Sequence, residues 1–346
     1  MIKISIIIPV FNSSQKLRRC LDSVKRQTEQ SYEVIIVDDG STDDSAMIVK
    51  EYLSDKRFKY IFQNNKGVSS ARNEGIDKSE GEWIAFLDSD DYYEDTFLEV
   101  LLREAIRDDA DIISCCCQYE INGEKVTISF WNNDCIFSEN SKDNSKKELY
   151  LELMDSQYKS KKHRITAIGV PWGKLYRSKL IKDNNHFDLQ LNRLQDNIFN
   201  MYVFDKANKI KYINQPLYNY DTDHISNYNK KYNKNAHIYY DLVCKKRKDF
   251  LLSKGLFEDS TIKKYYNKEV INNTLAMLRT YFLNKNNPES RRNLINKMKA
   301  LFSQELYEEA FNEEYGNIDK MHRKIRIFLL KNGKYNVLFF LYKFLT

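Results

Sequence analysis

The chain has 346 residues, 42% hydrophobic and 30% charged, with a formal net charge of +6 and a sequence pI near 8.7. That length accommodates one large domain or two ordinary ones, with apolar material for a substantial core. The mild basic balance suits an anionic small molecule or membrane surface; it is too diffuse for nucleic acid, and no Arg-rich arm, zinc-finger spacing or aromatic RNA-binding signature occurs.

ISIIIPV (Ile4–Val10) is a continuous β-branched run and predicts a buried parallel strand rather than a secretory leader. Leu17, Leu21 and Val24 fall at helical spacing within residues 13–27. YEVIIVD (Tyr32–Asp38) predicts a second strand, residues 42–53 a helix with Ser41 and Asp43 as N-cap candidates, and FKYIFQ (Phe58–Gln63) a third strand. Residues 68–78 read as a third helix, EWIAFLD (Glu82–Asp88) as a fourth strand, residues 95–108 as a helix and ADIISCCCQ as a further strand. Such alternation predicts an α/β fold, a mostly parallel sheet flanked by helices, with ligands beyond the carboxyl ends of the strands.

The pattern loosens from 119 to 144, with a hairpin expected through Asn122-Gly123 and a polar surface loop in SENSKDNSKK. From about residue 230 the chain reads as helical and rich in Tyr, Asn and Lys, so the domains are placed at 1–228 and 229–346. Cys20, Cys115, Cys116, Cys117, Cys135 and Cys244 show no metal-ligand spacing; the Cys115–Cys117 run reads as small core residues, and the set fits a reduced, cytoplasmic protein. No segment approaches the roughly 20 apolar residues of a membrane span.

The chemistry gathers at the predicted strand ends. PVFN (Pro9–Asn12) offers a stacking face and an amide to a nucleobase, although an ordinary strand exit explains it equally well. In VDDGSTD, helix capping accounts for residues 41–43 but not for the adjacent acids Asp38 and Asp39, which can accept from a base or ribose. In NNKGVSSARNEG, Gly67 opens a helix whose N-terminus favours anions, with Arg72 and Asn73 one turn inside; a solvated helix face is the alternative. FLDSDDYYED places five acids within residues 88–95. A helix dipole accounts for Glu94 and Asp95. Asp88 and Asp90 precede the helix, and their spacing suits a hard cation, Mg²⁺ or Mn²⁺, that completes its shell with water and phosphate.

Taken in order, IIIPVFN, VIIVDDGSTDDS, NKGVSSARNEGI and WIAFLDSDD resemble the family-2 glycosyltransferases of the GT-A fold, and the likeness continues more weakly through VPWGKLYRSKL and LQDNIF to about residue 225. The resemblance implies transfer of a sugar from a nucleotide donor, usually UDP-linked, with inversion, as in bacterial polysaccharide or glycoconjugate synthesis. It implies that Pro9, Phe11, Asn12 and Asp39 line the base and ribose, that Asn65, Gly67 and Arg72 complete the nucleotide site, and that Asp88 faces the ribose. Asp90 would hold the metal, with Asp91 a weaker candidate. Asp196 would be the general base, with Gln195 standing where such enzymes commonly carry Glu, and Asp188 and Asp223 next in line. Trp172 and Lys174 would shape the sugar or acceptor pocket, core packing being the alternative for Trp172; His224 reads as a metal or diphosphate contact or as a surface histidine.

The expected partners are the donor and a glycan, lipid-linked or protein-linked acceptor; homo-oligomerisation is open. The basic, apolar run from 324 to 346 suits peripheral contact with the inner face of the cell membrane, or packing within the protein. Rival readings are a haloacid-dehalogenase-type phosphohydrolase, a sugar nucleotidyltransferase and a non-catalytic nucleotide-sugar-binding module. The first expects its acidic motif near strand one, and the second a Gly-rich, Arg-containing loop there.

Overall fold

In the computed structural model the described residues are 2–121, 123–139, 145–155, 158, 168–183, 186–222, 231–318 and 320–342. The chain divides into two compact units, 1–223 and 224–346. The expected boundary at residue 228 lies outside the described residues.

Unit one is built on a mixed sheet. Its strands are β1 (Ile4–Val10), β2 (Tyr32–Asp38), β3 (Phe58–Phe62), β4 (Trp83–Phe86), β5 (Tyr92–Tyr93), β6 (Ile112–Ile121), β7 (Glu124–Ile128), β8 (Cys135–Phe137), β9 (Lys174–Arg177) and β10 (Ile210–Asn219). The order is β3-β2-β1-β4-β9-β6-β10-β5, with β7 on β6 and β8 on β10. β3, β2, β1 and β4 run parallel, as do β6 and β10, while β9 pairs antiparallel with both β4 and β6. Every residue of β1 and β2 is buried, which is why these strands read as unbroken apolar runs rather than alternating ones. β9 and the two-residue β5 were not expected: four and two residues are too short to carry a period.

The helices of this unit are α1 (Leu17–Lys25), α2 (Ser45–Lys50), α3 (Val68–Lys78), α4 (Phe97–Arg107), α5 (Lys146–Met154), α6 (Ser178–Lys182) and α7 (Gln195–Lys206). α1 and α2 are shorter than helical spacing suggested, because the residues before them are tied to other loops. Ser13 N donates to Ser45 Oγ at 2.9 Å and Ser14 N to Asp43 Oδ2 at 3.0 Å. Ser41 instead accepts from Asn12 N, while Asp43 does serve the start of α2, its Oδ1 accepting from Ser45 N at 3.0 Å; the N-cap residue itself is Asp44. The hairpin at Gly123 forms, with φ +82°. Residues 140–144 of the expected polar loop lie outside the described set. Lys146 at its end is instead buried in α5, its Nζ donating to Asp205 O at 2.8 Å.

Register aligns the strand ends. Val10 pairs with Asp38, and Ile7 pairs with Phe86, with Leu87 N donating to Ile7 O at 3.1 Å. The turns after β1, β2 and β4 therefore leave the sheet side by side. α3 packs on β1 and β2 through Gly75, where an added Cβ would lie 2.4 Å from Ile7 Cγ2.

Unit two is helical among the described residues: α8 (Ala236–Ser253), α9 (Ser260–Met277) continued by a π-helical turn (Leu278–Phe282), α10 (Arg291–Phe302), α11 (Glu305–Glu313), α12 (Met321–Lys331) and α13 (Tyr335–Tyr342). Asp259 and Ser290 cap α9 and α10 through side-chain hydrogen bonds. No helix among the described residues is long and apolar enough to cross a membrane. In the C-terminal run Ile327, Leu330 and Leu338 are buried, whereas Phe328 and Phe340 are exposed.

Gly75 sets how closely α3, and with it Arg72, approaches the sheet. Gly75→Ala gains up to about 1 kcal/mol of helix propensity but forces a methyl into buried Ile7, at about 1–3 kcal/mol. Urea unfolding should show a net loss of about 1–2 kcal/mol; an unchanged or raised midpoint would refute this seating of α3.

Candidate active site

The turns at the strand ends are joined to one another before any ligand arrives. Asn12, at φ +49°, accepts from Thr42 N at 2.8 Å through its side-chain oxygen, and its own N–H donates to Ser41 Oγ at 3.0 Å. Ser13 Oγ and Ser89 Oγ share a hydrogen bond of 2.6 Å, tying the turn after β1 to the acidic segment. Asp38 is fully buried and accepts from Ser41 N at 2.8 Å and Tyr60 OH at 2.7 Å. Asp39 accepts from Lys66 N and Gly67 N, both at 2.8 Å, and from Gln63 Nε2 at 2.6 Å. Of the adjacent acids in VDDG, Asp38 thus organises its own turn and Asp39 holds the loop that opens α3. Gly40, at φ +79°, lets Asn65 come close: a Cβ there would sit 2.9 Å from Asn65 N. Pro9 is buried at the end of β1, whereas Phe11 is 49% exposed and Asn65 is exposed.

α3 then delivers Arg72, with 3% of its side chain exposed, between two carboxylates from distant parts of the chain. Its Nη2 donates to Asp88 Oδ1 at 2.7 Å and its Nη1 to Asp196 Oδ1 at 2.6 Å. The guanidinium lies 5.2 Å from the ring centre of Phe187. Phe187 is held in place by reciprocal bonds with Asn73, at 2.8 and 2.9 Å, and stacks on Phe199 with centroids 4.0 Å apart. Asp88 and Asp196 keep 27% and 28% of their side chains exposed, so each reaches solvent as well as Arg72. Burial pushes the Asp196 carboxyl above the ordinary aspartate range; Arg72 pulls it down and the Asp88 charge raises it again.

The rest of the acidic segment divides by environment. Asp90 is half-buried, and its backbone carbonyl accepts from Arg19 Nη2 at 2.7 Å. Asp91 is buried, accepting from Tyr218 OH at 2.5 Å and from Asp221 N at 2.7 Å. Desolvation, then the charges of Asp88 and Asp90, raise Asp91 well above the usual range despite these two donors. Asp221 accepts from Lys16 Nζ at 2.5 Å and Arg19 Nη2 at 2.9 Å. Asp91 thereby pins the end of β10 beneath the cluster. The sequence raised Asp91 only as a metal candidate and missed Tyr218, Asp221 and Phe187. Their partners lie more than a hundred residues away in sequence, and no local pattern could have found them.

Trp172 is buried and stacks on Tyr218, centroids 4.3 Å apart and planes 9° apart, and on Tyr220 at 5.2 Å. Lys174 is fully buried, its Nζ donating to Val170 O at 2.6 Å. Burial lowers it to about 7. It supports the turn bearing Trp172 rather than lining an open pocket. Gln195 opens α7 beside Asp196, and among the described residues its buried Oε1 meets no donor. Asp188 closes a local turn, accepting from Gln190 N at 2.8 Å. Asp223 and His224 lie outside the described residues.

The strand-end turns, the acidic segment after β4 and the acid at the start of α7 thus meet around one arginine. The family described as Glycosyl transferase family 2 matches residues 5–184, just over half of the chain. The chain belongs to that family. Among its relatives, EpsH of Bacillus subtilis is 33% identical over 67% of this chain and 64% of its own length. The glycosyltransferase GlyA of Streptococcus pneumoniae is 34% identical over 63% of this chain and 30% of its own. The chain spans less than two thirds of the length of these relatives. Among solved structures, residues 1–349 of Staphylococcus aureus TarS match 99% of this chain and 91% of that one, with TM-score 0.68 and 21% identity, a likeness of fold. The same TarS fragment has been solved with UDP-GlcNAc, with TM-score 0.67 and 20% identity.

The acidic segment should cost this family-2 member stability. An aspartate whose folded pKa is raised loses stability as pH climbs above its ordinary value near 3.8. With Asp90→Asn in EDTA, Asp91 loses one repelling charge. Stability at pH 8 should rise by about 1 kcal/mol, and the gain should vanish near pH 4. Thermal unfolding across pH checks this; a loss of stability at pH 8 would show that Asp90 is not in electrostatic conflict with Asp91.

Proposed function

We propose that this chain transfers a sugar from a nucleotide-sugar donor, UDP-linked, to an acceptor hydroxyl with inversion at the anomeric carbon. The observation that carries the reading is the bridge from Arg72 to both Asp88 and Asp196, which brings the acidic segment and the α7 carboxylate to one guanidinium. Family membership and the UDP-GlcNAc complex of TarS support a nucleotide-sugar donor.

In this reading the base enters beside exposed Phe11, with the turns held by Asn12 and Asp39 as walls, and Asn65 and Gly67 complete the nucleotide cradle. The hydroxyl meets Asp196 on the opposite side of the sugar. Asp196 accepts the hydroxyl proton as the acceptor oxygen–carbon bond forms and the bond from carbon to the diphosphate oxygen breaks. Raised by burial, Asp196 is a stronger base than a solvated aspartate, while Arg72 keeps it ionised and aimed. Bringing acceptor and donor together on one face makes the step effectively unimolecular. Half-buried Tyr220, stacked on buried Trp172, is assigned to the sugar side, with Trp172 as its support, and Gln195 to tuning Asp196.

Among the described residues no group of three or more His, Cys, Asp or Glu side chains is placed to hold a metal ion. Asp88 and Asp90 act together on buried Asp91, so hard oxygen charge converges at this strand end. Such donors fit Mg²⁺ or Mn²⁺ held through Asp90 with water and diphosphate as the other ligands. When bound, the ion would neutralise charge on the leaving diphosphate. The acceptor is assigned to the glycan or lipid-linked class of bacterial surface assembly, at the cytoplasmic face of the membrane.

Asp196→Asn keeps shape and removes basicity, so UDP affinity should hold while turnover falls by on the order of 10²–10⁴. Asp90→Asn should weaken UDP binding in Mn²⁺ and lose turnover together. Calorimetry with UDP and a donor-hydrolysis screen separate these outcomes; near-normal transfer by Asp196→Asn would remove it from the proton step. Tight donor binding with no transfer to any acceptor or to water would favour a binding module.

The pH profile gives an independent check. A base works only when ionised, so activity fails as pH falls through its pKa. Arg72→Gln removes the cation that lowers Asp196, and the acid limb of the kcat profile should move to higher pH. Gln195→Glu adds a like charge and should move it the same way with the maximum rate largely kept. An acid limb that does not move in either variant belongs to another group.

A further inference from the structure

One turn after Asp196, α7 carries a fully buried amide, Asn200. Asparagine is a poor choice for a helix interior, because its side chain competes with the backbone for hydrogen bonds. A buried amide must also find partners. The Asn200 Oδ1 accepts from Tyr176 OH at 2.8 Å. Its Nδ2 donates to Gly169 O at 2.8 Å, Val170 O at 3.1 Å and Asp196 O at 3.2 Å. Tyr176, Gly169 and Val170 all lie outside α7, in β9 and in the turn that precedes it.

That turn hangs from its carbonyls. Besides the bonds from Asn200, Val170 O accepts from Lys174 Nζ at 2.6 Å and Pro171 O from Tyr176 OH at 3.1 Å. Trp172 O accepts from Lys174 Nζ at 3.4 Å and Gly173 O from Cys115 N at 3.0 Å. Asn200, Tyr176 and Lys174 are all fully buried, so these bonds form away from water, where an unmet carbonyl is costly. Gly169 lets the turn press against α7: a Cβ there would lie 2.8 Å from Asn197 Nδ2. On the far side of the turn Trp172 stacks on Tyr218, centroids 4.3 Å apart, and Tyr218 OH donates to Asp91 at 2.5 Å. A path of buried contacts, separate from Arg72, therefore runs from α7 to the acidic segment.

We propose that Asn200 is a positioning residue for the proton-accepting step: it fixes the start of α7 against the turn bearing Trp172, and so holds the Asp196 carboxylate in register with the acidic segment. The inference rests on the reading of Asp196 as the base. Arg72 grips the Asp196 side chain, and Asn197, whose Nδ2 donates to Leu153 O at 2.8 Å, ties the helix to α5. Asn200 instead grips backbone: the Asp196 carbonyl and two carbonyls of the turn. A misplacement of about 1 Å can cost on the order of 10²-fold in rate, so such a link is felt in turnover rather than in donor affinity. Fully buried, Asn200 acts through Asp196 and not by contact with a substrate.

The test places Asn200→Leu, which keeps the volume and removes the amide, in the wild-type and Asp196→Asn backgrounds of the full chain. Hydrolysis of UDP-GlcNAc, or of whichever UDP-sugar the hydrolysis screen selects, gives kcat, and calorimetry gives UDP affinity. In the wild-type background kcat should fall by about 10- to 100-fold, with UDP affinity and circular dichroism unchanged. In the Asp196→Asn background the same substitution should cost less than about twofold, because a residue that acts through Asp196 has nothing left to position. Unchanged kcat in folded Asn200→Leu, or an equal loss in both backgrounds, would overturn the proposal. So would UDP affinity lost in step with kcat, which would mark a general disturbance of the site. Turnover retained by Asp196→Asn alone would remove the base assignment, and this inference with it. Should Asn200→Leu not fold, Tyr176→Phe takes one hydroxyl from the same network and keeps the ring. Its kcat should fall by about three- to tenfold, and that loss should again disappear in the Asp196→Asn background.

Discussion

A buried guanidinium cannot be left without counter-charges, and this one takes them from two places. Arg72 is 3% exposed and bound at 2.7 and 2.6 Å by Asp88 and Asp196. With either carboxylate removed the guanidinium keeps one counter-charge; with both removed a buried charge is left uncompensated, at a cost of several kcal/mol. The pairing therefore constrains everything that carries these three side chains: α3 on the sheet, the turn after β4, and the start of α7. Phe187, clamped by Asn73, provides the floor beneath the guanidinium. The turn after β4 and the start of α7 are thus located by one electrostatic node.

Around that node, polar groups that look available in sequence are committed to architecture. Asp38 accepts from a backbone N–H of its own turn, and Asp39 and Asn12 accept from those of neighbouring turns. Such bonds hold the turn backbones in place before binding, so a ligand need not order them. The acidic segment works in the opposite sense. Asp88, Asp90 and Asp91 repel one another, and Asp91 is tolerated only because Tyr218 and the Asp221 N–H donate to it.

Unit two commits its polar groups in the same way: Glu289 is neutralised inside the fold by Lys297 and Tyr281. The basic, apolar C-terminal run becomes two short helices, and buried Ile327, Leu330 and Leu338 hold them in the unit. The run thus packs through one set of apolar residues and leaves another, Phe328, Val337 and Phe340, exposed.

The sequence by itself determined the elements whose patterns are local. β1 and β2 run to the predicted residues because strands buried on both faces must be continuously apolar, and α3 does so because its start is marked by Gly67. The order of the motifs, each at a strand end, was enough to expect this fold and family. What only the tertiary structure decided is what depends on long separations. Antiparallel β9, the Arg72 bridge spanning from residue 72 to 196, and the bond from Tyr218 to Asp91 leave no period in the chain. Lys174 and Trp172 read as pocket residues, and the fold places both beneath the surface, because burial is a property of what packs above them. Helix ends also moved, at α1 and α2, since a serine or aspartate that can cap its own helix can equally bond a neighbouring turn, and only the assembled sheet brings that competitor within reach.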